Sequence, residues 1–389
     1  MVICMSRQTW LEQYRSSVSS RDFALLEKAS SILERNTYAP NEYGWGPWRM
    51  VSPCRGYFKG FWNWDTAFIA EGMSRWDTTL AKEQILGFLS FQMEDGMLPD
   101  VKRENGELVD TLSKPPVLAP AAWTIFCRSG DLDFLREVYP KFVKNESFWT
   151  TKRCQDGLFY YSAVREKAKD EAEYLTWAGY ESGWDNAVRW DMGIPNLWAI
   201  DLNCYMVMTY RSLKYMAVAL GLPDREWAGK ESALIDRIET TLWNDVLGAY
   251  VDVRRTDGQQ SNVLSPASLM PLYIGTASLE RAVRLEKMVR EHLYPGMPTV
   301  AYDDPRYSDN YWRGPCWLNV AYFAAKGLKN YGFTFTADGI RDEILGWVER
   351  DGDCIHENYN ARTGVAPEKH SCKYFSWSSV FVIEFILNF

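Results

Sequence analysis

Two short stretches of the sequence place ionisable groups between large aromatic side chains. The first, ESGWDNAVRWD at 181–191, has three carboxylates, an arginine and two tryptophans around a glycine. The second, HENYN at 356–360, has Glu357 close to a tyrosine. Glycosidic bonds are cleaved by two carboxyl groups with unequal tasks, one donating a proton and the other activating water or attacking carbon. Asp185 and Glu357 are therefore candidate catalytic residues.

Asp185 follows Gly183 and Trp184, so a tight turn can present its side chain to a cleft beside an indole. Aromatic surroundings raise the pKa of a carboxyl group and keep a proton available near neutral pH. Taken alone, the ESGWD stretch also fits an Asx-turn that caps an inner helix. The remaining carboxylates, Glu181 and Asp191, are expected to accept hydrogen bonds from sugar hydroxyls or to support the site.

The aromatic content points to carbohydrate recognition. The chain has 18 Trp, 22 Tyr and 18 Phe, and many of the tryptophans lie outside helical patterns. A sugar offers hydroxyls at its edge and C–H patches on its faces, so polar side chains and flat aromatic rings bind it together. Trp64, Trp190 and Trp198 are expected in the core instead. The candidate substrate-binding residues are Phe58, Trp62, Asp65, Lys114, Tyr180, Trp184, Arg189, Tyr311, Trp312, Trp317 and Trp377.

Two of these candidates have competing interpretations. Asp65 stands ahead of an apolar helical stretch, so it can act as an N-cap, as a sugar ligand, or as both. Arg189 can bind sugar hydroxyls with its planar fork, or it can simply pair with Glu181 or Asp191.

Helical periodicity divides the chain into six apolar and six amphipathic helices. Five amphipathic stretches are each followed by a glycine, as at a helix C-terminus, at Gly96, Gly157, Gly248, Gly296 and Gly352. An unpaired amphipathic helix begins the chain and an unpaired apolar one ends it. These two unpaired helices can pair with each other if the chain closes into a ring. The apolar helices would then lie inside the ring and the amphipathic helices outside. We therefore predict an all-α (α/α)6 barrel with apolar helices near 65–73, 116–128, 196–220, 266–274, 315–331 and 375–389.

The barrel is expected to be a single domain over residues 1–389, with the N-terminal helix, about 8–36, completing its outer layer. Links from apolar to amphipathic helices are short, and the return links are long. In a ring the long links lie at one end, and they contain every unusual motif. The motifs are therefore predicted to surround the mouth of the barrel, where loops on a rigid scaffold commonly carry active sites.

Composition excludes several other classes of function. The net charge of −8, without a basic stripe, argues against nucleic-acid binding, and no apolar stretch resembles a membrane span or a signal peptide. Eight scattered cysteines without a C-x-x-C pair, and only three histidines, favour buried thiols in a reducing cytoplasm. We expect no metal and no cofactor. A homo-oligomer remains compatible with the sequence.

Six motifs, taken in order, carry a resemblance to a known family. GFWNWDTAF, SKPPVLA, ESGWDNAVRW, YWRGPCW, ENYNARTG and FSWSS together resemble family 63 of the glycoside hydrolases. The similarity covers roughly residues 55–385 and is closest to the small members of the mannosylglycerate and glucosylglycerate hydrolase type. The trehalases of family 37 share a related ESGWD block and the same barrel.

The resemblance implies an inverting α-glycosidase, acting on a small α-glucoside or α-mannoside, with Asp185 as general acid and Glu357 as general base. It also implies that Trp62, Asp65, Tyr311, Trp312 and Trp317 line the subsite of the departing sugar. Lys114 departs from the pattern, because such sequences usually have glutamine before the two prolines. A lysine there suggests a substrate with an acidic group, such as a glycerate or a uronate.

Three alternative functions fit the same scaffold. A sugar epimerase would use inward-facing histidines, but the chain has only His292, His356 and His370. A phosphorylase would keep one acid and replace the base by phosphate. A carbohydrate-binding protein without activity would keep the tryptophans and would not need both carboxylates.

Overall fold

The computed structural model describes residues 4–389 and is mostly helical. Fourteen α-helices lie within these residues, and several are preceded or extended by short 3-10 turns. In chain order they are α1 (Arg7–Glu12), α2 (Ser20–Arg35), α3 (Asn63–Met73), α4 (Thr78–Leu89), α5 (Leu118–Ser129), α6 (Leu132–Lys152), α7 (Glu171–Ser182), α8 (Ile200–Ala219), α9 (Arg225–Thr241), α10 (Met270–Tyr273), α11 (Leu279–His292), α12 (Leu318–Asn330), α13 (Thr334–Arg350) and α14 (Ser376–Leu387).

The strands are all two or three residues long and form small antiparallel pairs or, once, a three-stranded sheet. They are β1 (Thr37–Tyr38), β2 (Met50–Val51), β3 (Gly60–Trp62), β4 (Val101–Arg103), β5 (Leu108–Val109), β6 (Cys154–Gln155), β7 (Leu158–Phe159), β8 (Leu197–Trp198), β9 (Trp243–Asn244), β10 (Ala249–Tyr250) and β11 (Val253–Arg254). The three-stranded sheet has the order β3–β4–β5, with Trp62 opposite Val101.

The six apolar and six amphipathic helices are confirmed, but the N-terminal helix expected at about 8–36 is divided into α1 and α2, because Ser19 begins the second helix as its N-cap. The six apolar ones correspond to α3, α5, α8, α10 with its preceding 3-10 turn, α12 and α14, and the six amphipathic ones to α2, α4, α6, α9, α11 and α13. Links from an apolar to an amphipathic helix have two to five residues, whereas each return link has at least 24. The long links carry the unusual motifs, as predicted.

The expectation that five glycines end helices was wrong in detail. Gly157 lies in the turn between β6 and β7, and Gly248 lies in the turn between β9 and β10. Both glycines have positive φ angles and follow their amphipathic helix only after a short strand. Gly96 and Gly296 lie several residues beyond the ends of α4 and α11, so of the five glycines Gly352 is the one that directly follows a helix C-terminus, next to the C-cap Asp351 of α13.

The chain forms two compact units that are interleaved in sequence. Unit 1 comprises the described residues up to Arg153, Met208–Glu231 and Tyr374–Ile386. In it α3 packs against α4 and α5, and α5 packs against α6. Tryptophan and phenylalanine rings fill its interior, where Trp64 lies 4.8 Å from Trp377 between ring centroids.

Unit 2 comprises Cys154–Val207, Ser232–Lys373 and Leu387–Phe389. Here α12 packs against α10 and α13, and α11 contacts β10. Trp190 and Trp198 are buried in this unit, and Trp64 is buried in unit 1, as the sequence predicted. Among the described residues no helix combines the length and apolar character needed to cross a bilayer.

Candidate active site

Asp185 lies on a turn that directly follows α7. The helix ends at Gly183, which adopts the left-handed conformation with φ 73° and donates its N–H to the carbonyl of Tyr180. Glycine is favoured there because it has no Cβ to clash. The Ser182 hydroxyl then accepts the N–H of Trp184 at 3.0 Å, which fixes the first residues of the turn. ESGWD is therefore a helix C-terminus followed by a turn, and the competing interpretation of an Asx-turn that caps an inner helix was wrong.

The turn packs closely on the helix that precedes it. A Cβ added to Gly179 of α7 would lie 2.3 Å from the carbonyl oxygen of Asp185. Only a residue without a side chain allows this approach. Tyr180, the neighbouring candidate for substrate binding, is 42% exposed on the same helix.

The residue after Asp185 ties the turn to the segment 310–314. The Asn186 side-chain oxygen accepts the N–H of Trp312 at 3.0 Å. The guanidinium of Arg313 donates to the carbonyl oxygen of Asn186 at 3.2 Å and forms a two-pronged ion pair with Asp191, both bonds 2.9 Å. The acid turn and the YWRGP motif are thus held against each other. Tyr311 in this segment has φ 57°, which is uncommon for a residue with a side chain and concentrates at functional sites.

Glu357 lies on the loop between α13 and α14 and is 4% exposed. Its Oε1 accepts the hydroxyl of Tyr311 at 3.3 Å, and its Oε2 accepts the backbone N–H of Cys372 at 3.1 Å. Its own N–H donates to the Cys372 carbonyl at 2.8 Å. Two donors therefore hold the carboxylate in place, one on each oxygen.

A second set of contacts holds this loop from behind. The Nδ1 of His356 lies 2.6 Å from a carboxylate oxygen of Asp351, and the same oxygen accepts the Tyr359 hydroxyl at 2.8 Å. The Tyr359 hydroxyl in turn accepts the His356 N–H. Burial lowers the pKa of His356, but hydrogen bonds with Asp351 and Cys354 outweigh it and raise that pKa to about 9. His356 is therefore charged at neutral pH.

Asp351, Cys354 and His356 have their ligand atoms within 4.8 Å of one another, and among residues 4–389 they are the group that could hold a metal ion. A tetrahedral zinc ion, about 2.0–2.3 Å from each ligand atom, would require the His356 nitrogen and the Asp351 oxygen to lie farther apart. Their hydrogen bonds to each other account for the close approach.

The predicted sugar-stacking tryptophans of unit 2 stack on one another. Trp312 lies parallel to Trp317, with centroids 3.8 Å apart and planes at 8°, and its centroid is 5.2 Å from that of Trp184. All three side chains are at most 1% exposed. Tyr311 stands edge-on to Trp317. Of these four, Tyr311 is the one that keeps partial exposure.

Arg189 lies in the interior and does not pair with Glu181 or Asp191. It is 1% exposed and makes four hydrogen bonds of 2.7–3.0 Å to the carboxylates of Asp201 and Asp252. Glu181 instead accepts the N–H of Ser162. The four guanidinium hydrogen bonds are all made to these two buried carboxylates, which favours a structural role for Arg189.

In unit 1, three aromatic candidates form a connected group. Phe58 stands edge-on to Trp62 and to Phe375, at 5.4 and 5.8 Å between centroids. Trp377 is 3% exposed and packs against Phe375, so it belongs to the aromatic core. The Trp62 indole N–H is buried without a partner in this structure, which leaves a donor for a polar ligand.

The two polar candidates of unit 1 are both buried. Asp65 lies in the first turn of α3, but the N-cap is Trp62 and no side chain caps the helix, so the N-cap interpretation of Asp65 was wrong. Lys114 faces Asp100 at 3.6 Å. Burial raises the pKa of Asp100, and the lysine charge opposes that shift. Asp100, which the sequence did not single out, directly precedes β4, and its carbonyl accepts the N–H of Asn63.

Sequence reasoning also overlooked the residues that hold the site together. Asn186 and Arg313 lie inside the quoted motifs, so the motifs themselves contained the signal. Cys372 contacts Glu357 through its backbone N–H and carbonyl, so its residue type gave no indication of this role.

Comparison with known proteins places the chain among glycoside hydrolases. Residues 58–378 match the Mannosylglycerate hydrolase MGH1-like glycoside hydrolase domain. Mannosylglycerate hydrolase MGH1 of Selaginella moellendorffii is 22% identical over 448 residues, which covers 94% of this chain and 87% of the relative.

Two solved structures share the fold. The family 63 mannosylglycerate hydrolase of Thermus thermophilus, in complex with Tris and D-glycerate, superposes with a TM-score of 0.77 at 22% identity, covering 92% of this chain and 99% of that one. Neutral trehalase Nth1 of Saccharomyces cerevisiae superposes with a TM-score of 0.71 at 16% identity, covering 92% and 79%. The predicted (α/α)6-barrel fold is confirmed by these neighbours. The chain is thus an enzyme that belongs to the mannosylglycerate hydrolase MGH1-like glycoside hydrolases of family 63, which are related to the trehalases.

Proposed function

We propose that this enzyme hydrolyses a small α-glucoside or α-mannoside in a single displacement with inversion at the anomeric carbon. Asp185 donates its proton to the glycosidic oxygen as the bond from that oxygen to C1 breaks. A water molecule attacks C1 from the opposite face, and Glu357 takes the proton that the water loses. The products are a free sugar of inverted configuration and the departing alcohol, and proton exchange with solvent restores both carboxyl groups.

One observation carries this proposal: the segment 310–313 contacts both proposed catalytic loops. Its Trp312 N–H binds Asn186, the neighbour of Asp185, and its Tyr311 hydroxyl binds Glu357. Two carboxylates from loops far apart in sequence are thereby fixed relative to one short segment. Inversion requires roughly 6.5–9.5 Å between the two carboxyl groups, which leaves room for a water molecule, whereas retention requires about 5 Å.

The substrate class is proposed from the relatives and from the unit 1 residues. Mannosylglycerate hydrolases and trehalases both act on small glycosides by their names, which favours a disaccharide or a glycosyl glycerate here. Trp62, Asp65 and Lys114 are proposed to contact the substrate. Because Lys114 lies beside Asp100, its charge is partly balanced, and this pairing favours neutral sugar hydroxyls over a uronate at that position.

A screen of glucosylglycerate, mannosylglycerate, trehalose, kojibiose and nigerose tests the proposal, with the released anomer followed by NMR. We expect turnover of at least one α-glycoside and first appearance of the β-anomer. Release of the α-anomer first would contradict inversion. A C2 epimer of an added reducing sugar, or turnover that requires phosphate, would contradict hydrolysis.

We further propose that the two units act as one catalytic domain, because the family match at 58–378 spans both. Asp185 and Glu357 are proposed as the catalytic residues, and the buried tryptophans of unit 2 as the wall behind them. The enzyme is proposed to work in the cytoplasm without a metal or cofactor, alone or as a homo-oligomer.

A further inference from the structure

A continuous stack of flat groups runs from Arg189 to the contact with Glu357. The Arg189 guanidinium carbon lies 4.8 Å from the centroid of the Trp184 ring and 4.5 Å from that of Trp190. Trp184 stacks on Trp312, and Trp312 stacks on Trp317. We call these five side chains, Trp190, Arg189, Trp184, Trp312 and Trp317, the stacked column.

The column is anchored at its charged member. Arg189 binds Asp201 and Asp252 with two hydrogen bonds each. Asp252 also accepts the N–H of Ile200, and Asp201 accepts the N–H of Leu202, so both carboxylates are fixed to the first turn of α8. Buried carboxylates with this many donors are rigid, because each lost bond leaves an uncompensated charge.

The free end of the column reaches the base. Tyr311 stands edge-on to Trp317 with centroids 5.0 Å apart, and its hydroxyl contacts Glu357. Within the column, Trp184 is the residue immediately before Asp185. The rings are therefore a rigid connection between the residue that carries the acid and the residue that contacts the base.

We propose that Arg189 is a positioning residue that sets the placement of Asp185 through the stacked column. It touches neither substrate nor reacting atoms. Its planar cation lies over both the Trp184 and the Trp190 ring, and a lysine cannot replace that planar group although it keeps the charge. This inference rests on the proposed role of Asp185 as general acid.

The test compares Arg189→Lys with the unchanged enzyme on two substrates of the same sugar. One is a glycoside with a poor leaving group, such as the natural substrate found by the screen, and the other is the corresponding glycosyl fluoride, whose departure needs little help from an acid. A misplaced acid slows the first substrate and spares the second. We expect kcat for the glycoside to fall about 10- to 100-fold, less than the roughly 10²–10⁴-fold that a positioned proton transfer contributes, because the acid is displaced and not removed. We expect kcat for the fluoride to change less than about 3-fold, with KM nearly constant.

Near-UV circular dichroism tests the arrangement of the stacked column independently of activity, because indole rings that stack on one another give a strong signal. We expect that signal to change in Arg189→Lys. Arg75→Lys is the matched control, because Arg75 also makes two hydrogen bonds to a buried carboxylate, that of Glu384, in unit 1. The Arg75→Lys variant should be less stable to unfolding, and any change in kcat should be the same for the glycoside and the glycosyl fluoride.

If Arg189→Lys fails to fold, Asp252→Asn serves instead, because it weakens the hydrogen bonds to Arg189 and keeps the guanidinium. We expect it too to lower kcat on the glycoside more than kcat on the glycosyl fluoride. An equal loss on both substrates would overturn the positioning role and would leave the proposed hydrolysis intact. Failure of Asp185→Asn to show the same leaving-group dependence would instead overturn the proposed function.

Discussion

The acid turn and the base loop are both held by hydrogen bonds, but ring stacking and close helix packing support the acid turn, whereas a charged histidine braces the base loop. Asp185 follows a helix end, and its neighbours are fixed by a left-handed glycine and by ring stacking. Glu357 lies on a loop fixed by backbone and side-chain hydrogen bonds, with a charged histidine beside it. Stacking and close packing do not change with pH, whereas the bracing of the base loop does. Substitutions in the acid turn should therefore lower activity in a way that depends on the leaving group, and substitutions in the base loop should change how stability depends on pH.

The largest effects should come from the two carboxyl groups themselves. Asp185→Asn and Glu357→Gln should each fold normally and lose on the order of 10²–10⁴ in kcat on an unactivated glycoside. On the glycosyl fluoride, Asp185→Asn should recover most of its rate because fluoride needs no proton, and Glu357→Gln should not. Steady-state kinetics on both substrates measure the difference. Equal rates on the fluoride for the two variants would contradict the assignment of acid and base.

Gly179→Ala should break the acid turn alone. The new methyl group would meet the Asp185 carbonyl oxygen at 2.3 Å, so the turn must move. We expect kcat to fall about 10- to 100-fold, because a displacement of the reacting groups by about 1 Å can cost roughly 10²-fold. Gly229→Ala in α9 is the control, since its added Cβ meets nothing within 4 Å. That control should gain about 0.5–1 kcal/mol in unfolding free energy and keep full activity. Full activity in both variants would show that the close packing is unimportant.

Tyr311→Phe should weaken the base end more gently. Its hydroxyl is 3.3 Å from Glu357, a long hydrogen bond, so we expect a 3- to 10-fold loss of kcat, or about 1 kcal/mol. Tyr331→Phe is the matched control, because its hydroxyl donates to the backbone carbonyl of Ala277. A larger loss for the control would indicate that the effect concerns folding.

The smallest effect on activity, but a clear effect of pH, is expected for His356→Gln. Because the folded pKa of about 9 lies above the ordinary 6.5, protonated His356 stabilises the fold fully below pH 6.5. That stability is lost as pH rises through 9, and its upper size is roughly 3 kcal/mol. Chemical unfolding between pH 6 and 10 should show the wild type losing its advantage over the variant.

His292→Gln is the control for that experiment. Its partner Asp303 is 66% exposed at the side chain, so the difference from wild type should stay small at every pH. A pH-independent difference for His356→Gln would mean that its charge does not brace the base loop.

The fold was predictable to a large extent, because the apolar and amphipathic patterns repeat along the chain and each helix buries its own stripe. The motifs also identified the loops that carry the proposed site. The helix α7 was missed since it lies inside a long link whose sequence, DEAEYLTWAGYES, reads as polar and irregular.

The partners of individual side chains were less predictable. Arg189 binds Asp201 and Asp252, the second of which is 63 residues away, rather than the nearer carboxylates. Trp184 stacks on Trp312 across an even longer separation. Such choices depend on tertiary packing, which local patterns do not encode, and they decide which tryptophans face one another and which can face a ligand.

The interleaving of the two units constrains how this protein is made in a cell. Unit 1 begins near the first described residues, yet Asn36 binds Ser376 and Arg75 binds Glu384. Its last helix, α14, leaves the ribosome only after the whole of unit 2 up to Lys373 has been synthesised. The early part of unit 1 must therefore wait, with Arg75 still lacking Glu384, while the 309 positions that separate the two residues are synthesised. Chaperone binding to nascent chains should accordingly concentrate on the part of unit 1 that precedes Cys154.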